Sequence, residues 1–337
     1  MFTAALHPCV APRSEIVVLP AVDKDPNSVA CCSEVIAPVK RTLKAVGQPA
    51  AVVCVDGGLW SRMHQQLFTQ IAFDKTILLF LGPFHVIKAY LAALGVVVKG
   101  TGWGQALIEA RIVGGDASSI QSALSGEAVY RAIHCHAVVA QAMWGSLVSE
   151  FEQDNPEATG IAEVRLATTQ VLAGLGRDTA PVIGSTPAVQ ELRVWVAGKA
   201  AGTIMFWWTY LQYHQKLENY MNTVRTAHTG GLEVYATALE GLLPLFVATN
   251  KTNYRRMIPL QLQLFSLVAT KFPSLQQSLA RGVGLAVSRT GLPDSLVGLD
   301  LAMEWVNRDC KGPCRLASFL QPEARGQFQR CINADPV

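Results

Sequence analysis

Two short apolar runs, separated by a stretch with helical spacing, constrain the fold more than any other part of the sequence. The runs Ala51–Val55 and Thr76–Leu81 have the length and the Val, Ile, Leu and Phe content of buried strands. Between them, apolar residues recur near helical spacing at Leu59, Met63, Leu67, Phe68 and Ile71. The pattern therefore predicts two parallel strands joined by a helix, with a further helix after Pro83.

The carboxyl ends of these two strands are the places where a functional site is expected. In parallel α/β sheets, ligands bind outside the carboxyl ends of the strands. Asp56 follows the first run, and the segment Gly82-Pro83-Phe84-His85 follows the second. Asp56 and His85 are therefore the first candidates for site residues.

The rest of the chain is predicted to be helical. Helical spacing covers residues 32–46, where Gly47 marks the end, and nearly all of residues 105–228. We expect a predominantly α protein with a small parallel α/β core. Its expected segments are an irregular lead-in with one helix (1–49), an α/β crossover core (50–104), a helical region (105–290), and an acidic helix with a C-terminal tail (291–337).

The longest helix is expected over residues 202–228, with a seam of large side chains on one face. This seam consists of Trp207, Tyr210, His214, Leu217, Met221 and Val224. We interpret it as a packing face rather than a base-stacking surface, because its spacing is helical, and His214 as hydrogen-bonded within it. A short strand is expected over residues 282–289. The predicted core is Val53, Val55, Leu67, Ile77, Leu79, Leu91, Leu94, Leu239, Leu243, Phe265 and Leu267.

Composition narrows the class of protein. Of the 337 residues, 50% are hydrophobic and only 16% are charged, which is fewer than the roughly 25% usual in soluble domains. With a mean hydropathy of +0.26, a homo-oligomer or a helical protein partner is plausible. The net charge of +3 allows at most a local polyanion site. No membrane span or secretory signal is predicted, so we expect an intracellular protein with reduced cysteines.

Other motifs give candidate sites with plain structural alternatives. Asn253, Tyr254, Arg255 and Arg256 form a polar, aromatic and basic segment that is a candidate nucleic-acid contact, although loops are polar by default. Asp300, Glu304 and Asn307 share one helix face, which alone is typical of a solvated surface.

Two motifs with familiar spacing are disfavoured as sites. Gly100 to Gly104 imitates a dinucleotide-binding loop but has Gln105 where the third glycine belongs, so a turn between helices is favoured. Cys310 and Cys314 have a spacing that can bind zinc. His134 and His136 are the further ligands available, but on a helix they would face nearly opposite ways.

Several blocks in a fixed order carry a resemblance to known proteins. They are VDGGLW from Val55, LGPFHVIKAYLAALGVVVKGTGW from Leu81, the segment Tyr130 to His136, NYRRMIPLQL from Asn253, and GLDLAMEWVNRDCKG from Gly298. In these blocks, which span most of residues 50–325, the chain resembles a large family of uncharacterised, transposon-derived proteins found in many copies in animal and protist genomes.

The order of the acids also resembles transposases with a ribonuclease-H-like core. In such enzymes an acid ends one strand, a helix and a strand lead to a histidine, and a helical insertion precedes an acidic helix that returns to the core. Asp56, His85 and Glu304 match these positions, with Asp300 on the same last helix. The resemblance implies Mg²⁺ or Mn²⁺ held by Asp56 and Glu304, DNA as substrate, and phosphodiester nuclease or transposase chemistry.

The resemblance also implies a third acid, on a strand upstream of Ala51. Only Asp23 and Asp25 lie upstream, and residues 25–50 have room for one helix and no hairpin. Two further positions depart from what the resemblance implies. Thr249-Asn250-Lys251 replaces an expected Asp-His or similar pair before the Asn-Tyr motif, and Met303 replaces a histidine often found before the glutamate of the last helix. We therefore expect a partial ribonuclease-H-like sheet that is truncated at its N-terminus.

Two functions stand at this point. One is a DDE-type transposase or nuclease, which is either active or inactive. Its expected location is inside the cell, with the nucleus as a candidate compartment. The other is a non-enzymatic helical interaction or scaffold protein. A nucleotide-dependent enzyme is disfavoured, because no lysine-bearing phosphate loop follows Gly57-Gly58.

Overall fold

The computed structural model describes residues 28–68, 73–157, 187–199, 202–288 and 295–311, together with Ser14 and Ala162. The described residues are mostly helical and contain a small two-stranded parallel sheet. The predicted fold class, predominantly α with a small parallel α/β core, is therefore confirmed. The chain forms two compact units, one made of Met1–Ala89 with Asn219–Val337 and the other of Tyr90–Glu218.

The sheet of the first unit is the predicted crossover. Strand β1 (Ala51–Val55) pairs in parallel with β2 (Ile77–Leu81), with Ala51 opposite Ile77 and Val55 opposite Leu81. Helix α2 (Gly57–Leu67) connects them, and α3 (Pro83–Val98) begins directly after β2. Because both strands end at the same edge, Asp56 and Gly82 emerge side by side, and the Gly82 amide donates to the Val55 carbonyl (3.0 Å).

The remaining described helices of the first unit come from before β1 and from after residue 219. Helix α1 (Val29–Val46) ends at Gly47, which has a left-handed backbone (φ 69°), as the sequence predicted. The helices after residue 219 are the end of α8 (Thr203–Arg225), α9 (Ala227–Gly241), α10 (Leu243–Ala248), α11 (Thr252–Ser266), α12 (Val268–Lys271), α13 (Pro273–Ala280) and α14 (Leu299–Lys311).

One side chain of helix α11, that of Gln261, forms hydrogen bonds with the backbone of β2. Gln261 is fully buried, and its Oε1 accepts from the Leu81 amide (2.8 Å) and from Trp60 Nε1 (3.0 Å). Its Nε2 donates to the Leu79 carbonyl (3.0 Å). The Gln261 amide thus satisfies backbone groups of β2 that a neighbouring strand would otherwise satisfy, and it fixes α2 and α11 to the sheet.

The second unit is built from helices. It contains most of α3, then α4 (Trp103–Glu109), α5 (Ala117–Ser125), α6 (Val129–Asp154), α7 (Pro187–Gly198) and the first part of α8. The core of α6 and α7 contains Leu147, Phe151, Leu192 and Val196, with Trp144, Trp195 and Trp208 packed against it. Gly95 of α3 lies against the Leu124 carbonyl of α5, where any Cβ would clash.

Most residues of the predicted core are buried. Leu67, Ile77, Leu79, Leu91, Leu94, Leu239 and Phe265 are all at most 7% exposed. Four are only half-buried, namely Val53, Val55, Leu243 and Leu267. The two valines lie on β1, whose residues are half-buried throughout. Leu243 and Leu267 lie where one helix ends and the next begins, and there the neighbouring residues Leu242 and Val268 are buried instead.

Three predictions about the helical segments have clear outcomes. The seam of α8 is a packing face as predicted, because Tyr210, Leu217 and Val224 are buried. The longest described helix is α6, with 26 residues against 23 for α8, so that prediction was wrong. Gly100 and Gly102, both with positive φ, form the predicted turn between α3 and α4.

The strand predicted over residues 282–289 is absent from the described residues 282–288, which make only isolated bridges, such as Val287 with Val297. Gly282 and Gly284 have positive φ in this segment, and this backbone interrupts an extended run. The prediction of a strand here was therefore wrong for the part that the structure describes.

One stretch of the described residues, Gly230–Ala248, has the length and apolar composition of a membrane span. A third of it is buried inside the structure, and the chain departs from helical geometry at Gly231 (φ 61°, ψ −166°). Helices α3 and α4 pass the same test only as a pair bent by 96°. Buried core helices of soluble proteins share this length and composition.

Candidate active site

Asp56 stands where β1 ends and α2 begins. Its backbone is extended (φ −68°, ψ 168°), and its Oδ1 accepts from the Leu59 amide (2.9 Å), so it is the N-cap of α2. The residue is exposed. The same carboxylate thus satisfies the first turn of α2 and presents a negative charge at the carboxyl edge of the sheet.

Asp300 of α14 caps the start of α3, as Asp56 caps α2, although Asp300 lies more than 200 residues after α3 begins. Its Oδ1 accepts from the Phe84 amide (3.1 Å), and its Oδ2 accepts from the His85 amide (3.0 Å). These are free amides of the first turn of α3, so the carboxylate caps that helix from outside. Asp300 is only 8% exposed.

Two glycines make room for this carboxylate. A Cβ at Gly82 would collide with Asp300 Oδ2, and a Cβ at Gly298 would lie 2.8 Å from Asp300 Oδ1. Neither glycine has an unusual backbone angle, so space is the reason for glycine at both positions. The close approach lets α14 reach the end of β2.

His85 is held by the same carboxylate. Its Nδ1 lies 3.0 Å from Asp300 Oδ2, and its side chain is 28% exposed against 7% for Asp300. The hydrogen bond to Asp300 raises the pKa of His85, and burial opposes this. The negative charges of Asp300, Asp56 and Glu304 raise the pKa of His85 further. Three carboxylates from two parts of the chain, the end of β1 and helix α14, therefore act on one imidazole.

Tyr254, in the first turn of α11, forms one wall of the site. Its hydroxyl donates to the His85 carbonyl (3.1 Å), and its ring stacks on Phe246 with centroids 5.1 Å apart. Burial, together with the charges of Asp56 and Asp300, raises the pKa of Tyr254 to about 12, so it stays a neutral donor. A Cβ at Gly57 would lie 3.6 Å from the Tyr254 hydroxyl, which places this tyrosine beside the start of α2.

Neutral groups lie on the inner side of the site. The hydroxyls of Tyr220 and Tyr235 are 2.6 Å apart, and burial raises the pKa of both phenols well above the ordinary value. Burial also raises the pKa of the Cys54 thiol, and the Asp300 charge adds to this. Tyr220, Tyr235 and Cys54 therefore add no charge to the site.

The structure brings two of the predicted site residues, His85 and Asp300, into direct contact, and the charges of Asp56 and Glu304 also raise the pKa of His85. Asp300 is buried, so the alternative interpretation of its helix face as wholly solvated is wrong at this position, while Glu304, one turn further on, is exposed. The predicted nucleic-acid residues lie in the first turn of α11 rather than in a loop. Asn253, Arg255 and Arg256 are exposed there, and Tyr254 faces the site.

Sequence reasoning missed the residues that support the site. Gln261 and the tyrosine pair gave no signal, because a glutamine and two tyrosines on helices look like ordinary packing residues. Gly82 followed a predicted strand, and that was a signal of a close approach that could have been used. Gly298, directly before an acidic helix, was a weaker signal of the same kind.

The carboxylates differ in their capacity to hold the implied divalent ion. Both oxygens of Asp300 accept N–H hydrogen bonds, whereas Glu304 is exposed and Asp56 uses Oδ1 for its cap. Mg²⁺ is often held by one or two carboxylates, with water and substrate phosphates completing its shell. Asp56 and Glu304 are both exposed, and Asp56 Oδ2 takes no part in the cap. Within the described residues, no group of three or more His, Cys, Asp or Glu side chains is arranged as a metal site.

Several other predicted positions have simple outcomes. His134 is exposed and His136 is buried, so these two residues of α6 face different surroundings. The side chains of Cys310, Cys314 and Asn307 lie outside the described residues, as do Asp23 and Asp25.

The fold and site define a helical protein with a small parallel sheet and an acid and histidine site at its carboxyl edge. A family model described as "Domain of unknown function (DUF8702)" matches residues 3–317, and the chain belongs to this family. No curated protein and no solved structure matches the chain.

Proposed function

We propose that the chain is a transposon-derived protein of the DDE type, with a partial ribonuclease-H-like core whose site acts on phosphodiester bonds of DNA. One observation carries the proposal. Asp56 caps the helix that follows β1, and the distant acidic helix α14 returns to the end of β2, where Asp300 contacts His85. The charges of Asp56 and Glu304 also raise the pKa of His85. Acids at the carboxyl edge of a parallel sheet suit this chemistry.

Asp56 and Glu304 are the residues that would hold Mg²⁺ or Mn²⁺. A bound ion would stabilise negative charge on the phosphate oxygens of the substrate. Asp300 is left out of this assignment, because its oxygens already accept from Phe84 and His85. The exposed carboxylates of Asp56 and Glu304 are thus assigned to the ion, whereas the buried carboxylate of Asp300 supports the structure.

DNA would approach over the first turn of α11. Asn253, Arg255 and Arg256 are exposed there, and Tyr254 between them contacts His85. Arginine side chains bind phosphate oxygens with paired hydrogen bonds, and such contacts weaken as salt concentration rises. A protein with this substrate works inside the cell, where it must reach the nuclear DNA.

The test is calorimetric titration of the full chain with Mg²⁺ and with Mn²⁺, followed by a plasmid cleavage assay. We expect the wild type to bind the ion and Asp56→Asn and Glu304→Gln each to lose that binding. Asparagine is as good an N-cap as aspartate, so Asp56→Asn removes the charge and keeps α2 capped. Glu240→Gln, an exposed acid on α9, is the matched control and should bind like the wild type.

A folded wild type that binds neither ion and leaves DNA intact would contradict the proposal. Binding that survives in both site variants would place the ion elsewhere and would contradict the assignment of Asp56 and Glu304.

A non-enzymatic role as a helical interaction or scaffold protein is the second candidate. It is favoured by the structural tasks of two acids, because Asp56 caps α2 and Asp300 caps α3. Neither acid needs a catalytic role to explain its position. Under this function, the chain would bind no divalent ion, and light scattering would detect a homo-oligomer or a complex that is unchanged in Asp56→Asn and Glu304→Gln.

A further inference from the structure

We infer that His85 is the residue that transfers protons at this site and that Asp300 is the positioning residue that fixes its imidazole for the task. The inference rests on the proposed function, because the proton belongs to the nucleophile of phosphodiester cleavage. It also assigns Asp300 a role other than metal binding or contact with the substrate.

The hydrogen bonds of Asp300 determine which ring nitrogen of His85 is free. Asp300 Oδ1 accepts from the Phe84 amide, and Oδ2 accepts from the His85 amide and faces His85 Nδ1 at 3.0 Å. An ionised carboxylate has no proton to donate, so the network assigns the hydrogen to Nδ1. Nε2, on the far side of the ring, is left to accept a proton from a substrate or a water.

The surroundings hold this arrangement in place. Gly82 and Gly298 let the carboxylate approach the start of α3 closely, and Tyr254 donates to the His85 carbonyl (3.1 Å). The Phe84 ring packs edge-on against the imidazole, with centroids 5.5 Å apart. The His85 side chain is 28% exposed and that of Asp300 only 7%, so the histidine reaches solvent and the carboxylate supports it from inside.

The groups around His85 make its imidazole a stronger base. Asp300 of α14 faces His85 Nδ1 at 3.0 Å, and Tyr254 of α11 contacts the His85 backbone as a neutral phenol. Asp56, after β1, and Glu304 of α14 act on His85 through their charges. The hydrogen bond to Asp300 raises the pKa of His85, and this contact does not involve Asp56 or Glu304, whose charges a bound ion would offset. A base whose pKa lies near the working pH is the most effective in general base catalysis.

The chemical step is a hydrolysis. Water gives a proton to His85 Nε2, and the water oxygen forms a bond to phosphorus. The bond from phosphorus to the leaving sugar oxygen breaks, and that oxygen takes a proton from solvent. His85 then releases its proton to solvent, so one water and one phosphodiester give one alcohol and one phosphate monoester.

The test is the pH dependence of plasmid cleavage by the full chain at saturating Mn²⁺. We expect the wild-type rate to fall in acid as His85 becomes protonated. His85→Gln should lower the rate by roughly 100-fold or more and remove this acid limb. Asp300→Asn should lower the rate by roughly 10-fold to 100-fold and move the limb to lower pH. His134→Gln, an exposed histidine on α6, should leave the profile unchanged.

Two further measurements separate this inference from the proposed function. Calorimetry should show Mn²⁺ binding retained in His85→Gln and in Asp300→Asn, because neither residue is assigned to the ion. Long-range ¹H–¹⁵N NMR of the wild type should show the hydrogen on Nδ1 of neutral His85, and Asp300→Asn should reduce that tautomer.

Distinct results would overturn each idea. Cleavage by the wild type with an acid limb that persists in His85→Gln would overturn the role of His85 and leave the proposed function intact. A limb that does not move in a folded Asp300→Asn, or a hydrogen on Nε2 in the wild type, would overturn the positioning role of Asp300. A wild type that binds Mn²⁺ in no assay and cleaves no DNA would overturn both.

Discussion

The first and second units each contain a histidine with a close hydrogen-bond partner, and the pKa values of these two histidines are shifted in opposite directions. In the first unit, His85 Nδ1 faces the Asp300 carboxylate at 3.0 Å, and this raises the pKa of His85. In the second unit, His136 Nδ1 lies 2.8 Å from the Tyr210 hydroxyl, and burial lowers the pKa of His136 to about 3.

The difference comes from the charge and exposure of the surroundings. His136 is fully buried beside the Trp103 ring, and His214 nearby is also neutral because burial lowers its pKa to about 4. His85 is partly exposed and contacts the Asp300 carboxylate, and the charges of Asp56 and Glu304 also act on it. A histidine among aromatic rings behaves as a core residue, whereas a histidine held by a carboxylate at a sheet edge can carry charge and exchange protons.

His85 can keep its position beside Asp300 only if strand β2, which precedes it in the chain, is stable. Leu79 is fully buried in β2, and Leu79→Ala should lower the free energy of unfolding by about 2–5 kcal/mol. Urea denaturation would measure this loss. Leu260→Ala, at a position that is 37% exposed on α11, is the matched control and should cost far less. A Leu79→Ala protein as stable as the wild type would show that the sheet does not support the site.

Removing the Asp300 carboxylate should destabilise the first unit more than any other substitution within the site. Asp300→Ala would leave the Phe84 and His85 amides and His85 Nδ1 without their acceptor and would uncap α3. We expect a loss of about 3 kcal/mol, measured by urea denaturation. Glu304→Ala, one turn away and exposed, should change the stability by less than about 0.5 kcal/mol. Equal effects would contradict the division of labour between the two acids.

Two matched tyrosine variants sharpen the comparison between regions. Tyr210→Phe leaves the buried Nδ1 of His136 without its partner and should cost about 2 kcal/mol. Tyr254→Phe removes a donor to the half-exposed His85 and should cost about 1 kcal/mol, because water can replace it. Thermal unfolding of both proteins would give the ranking. A larger loss in Tyr254→Phe would contradict the contrast in burial.

The pH dependence of stability should have opposite signs in the two regions. The folded-state pKa values of His136 and His214 are lower than the unfolded value near 6.5. Their neutral forms therefore contribute stability that is complete above pH ~6.5 and is lost as pH falls toward ~4. Each group contributes a slope of at most about 1.4 kcal/mol per pH unit.

For His85 the sign is reversed. Its folded-state pKa is raised, so it contributes stability that is complete below pH ~6.5 and is lost as pH rises through the folded-state value. Urea denaturation at several pH values would compare His85→Gln and His136→Gln with the exposed control His134→Gln. Slopes that change in the same direction in the first two variants would contradict the comparison.

The amino-acid pattern was sufficient for the two strands, the helix between them and the end of α1. Ala51–Val55 and Ile77–Leu81 are strands, and a helix lies between them, because runs of buried aliphatic residues and helical spacing are local properties of the chain. Gly47 ends α1 for an equally local reason, since only glycine readily adopts a left-handed backbone. Asp56 could be placed at the sheet edge because it follows its strand directly.

Tertiary structure alone decided the roles within the site. Spacing gave Asp300 and Glu304 the same helix face, but only packing of α14 against the start of α3 makes the first a buried support and leaves the second exposed. Gln261 lies 180 residues from Leu81, and no local pattern connects the two. The effect of a side chain depends on partners that the chain brings together through folding, so sequence spacing determined the strands and helices, and packing determined which acid holds the histidine.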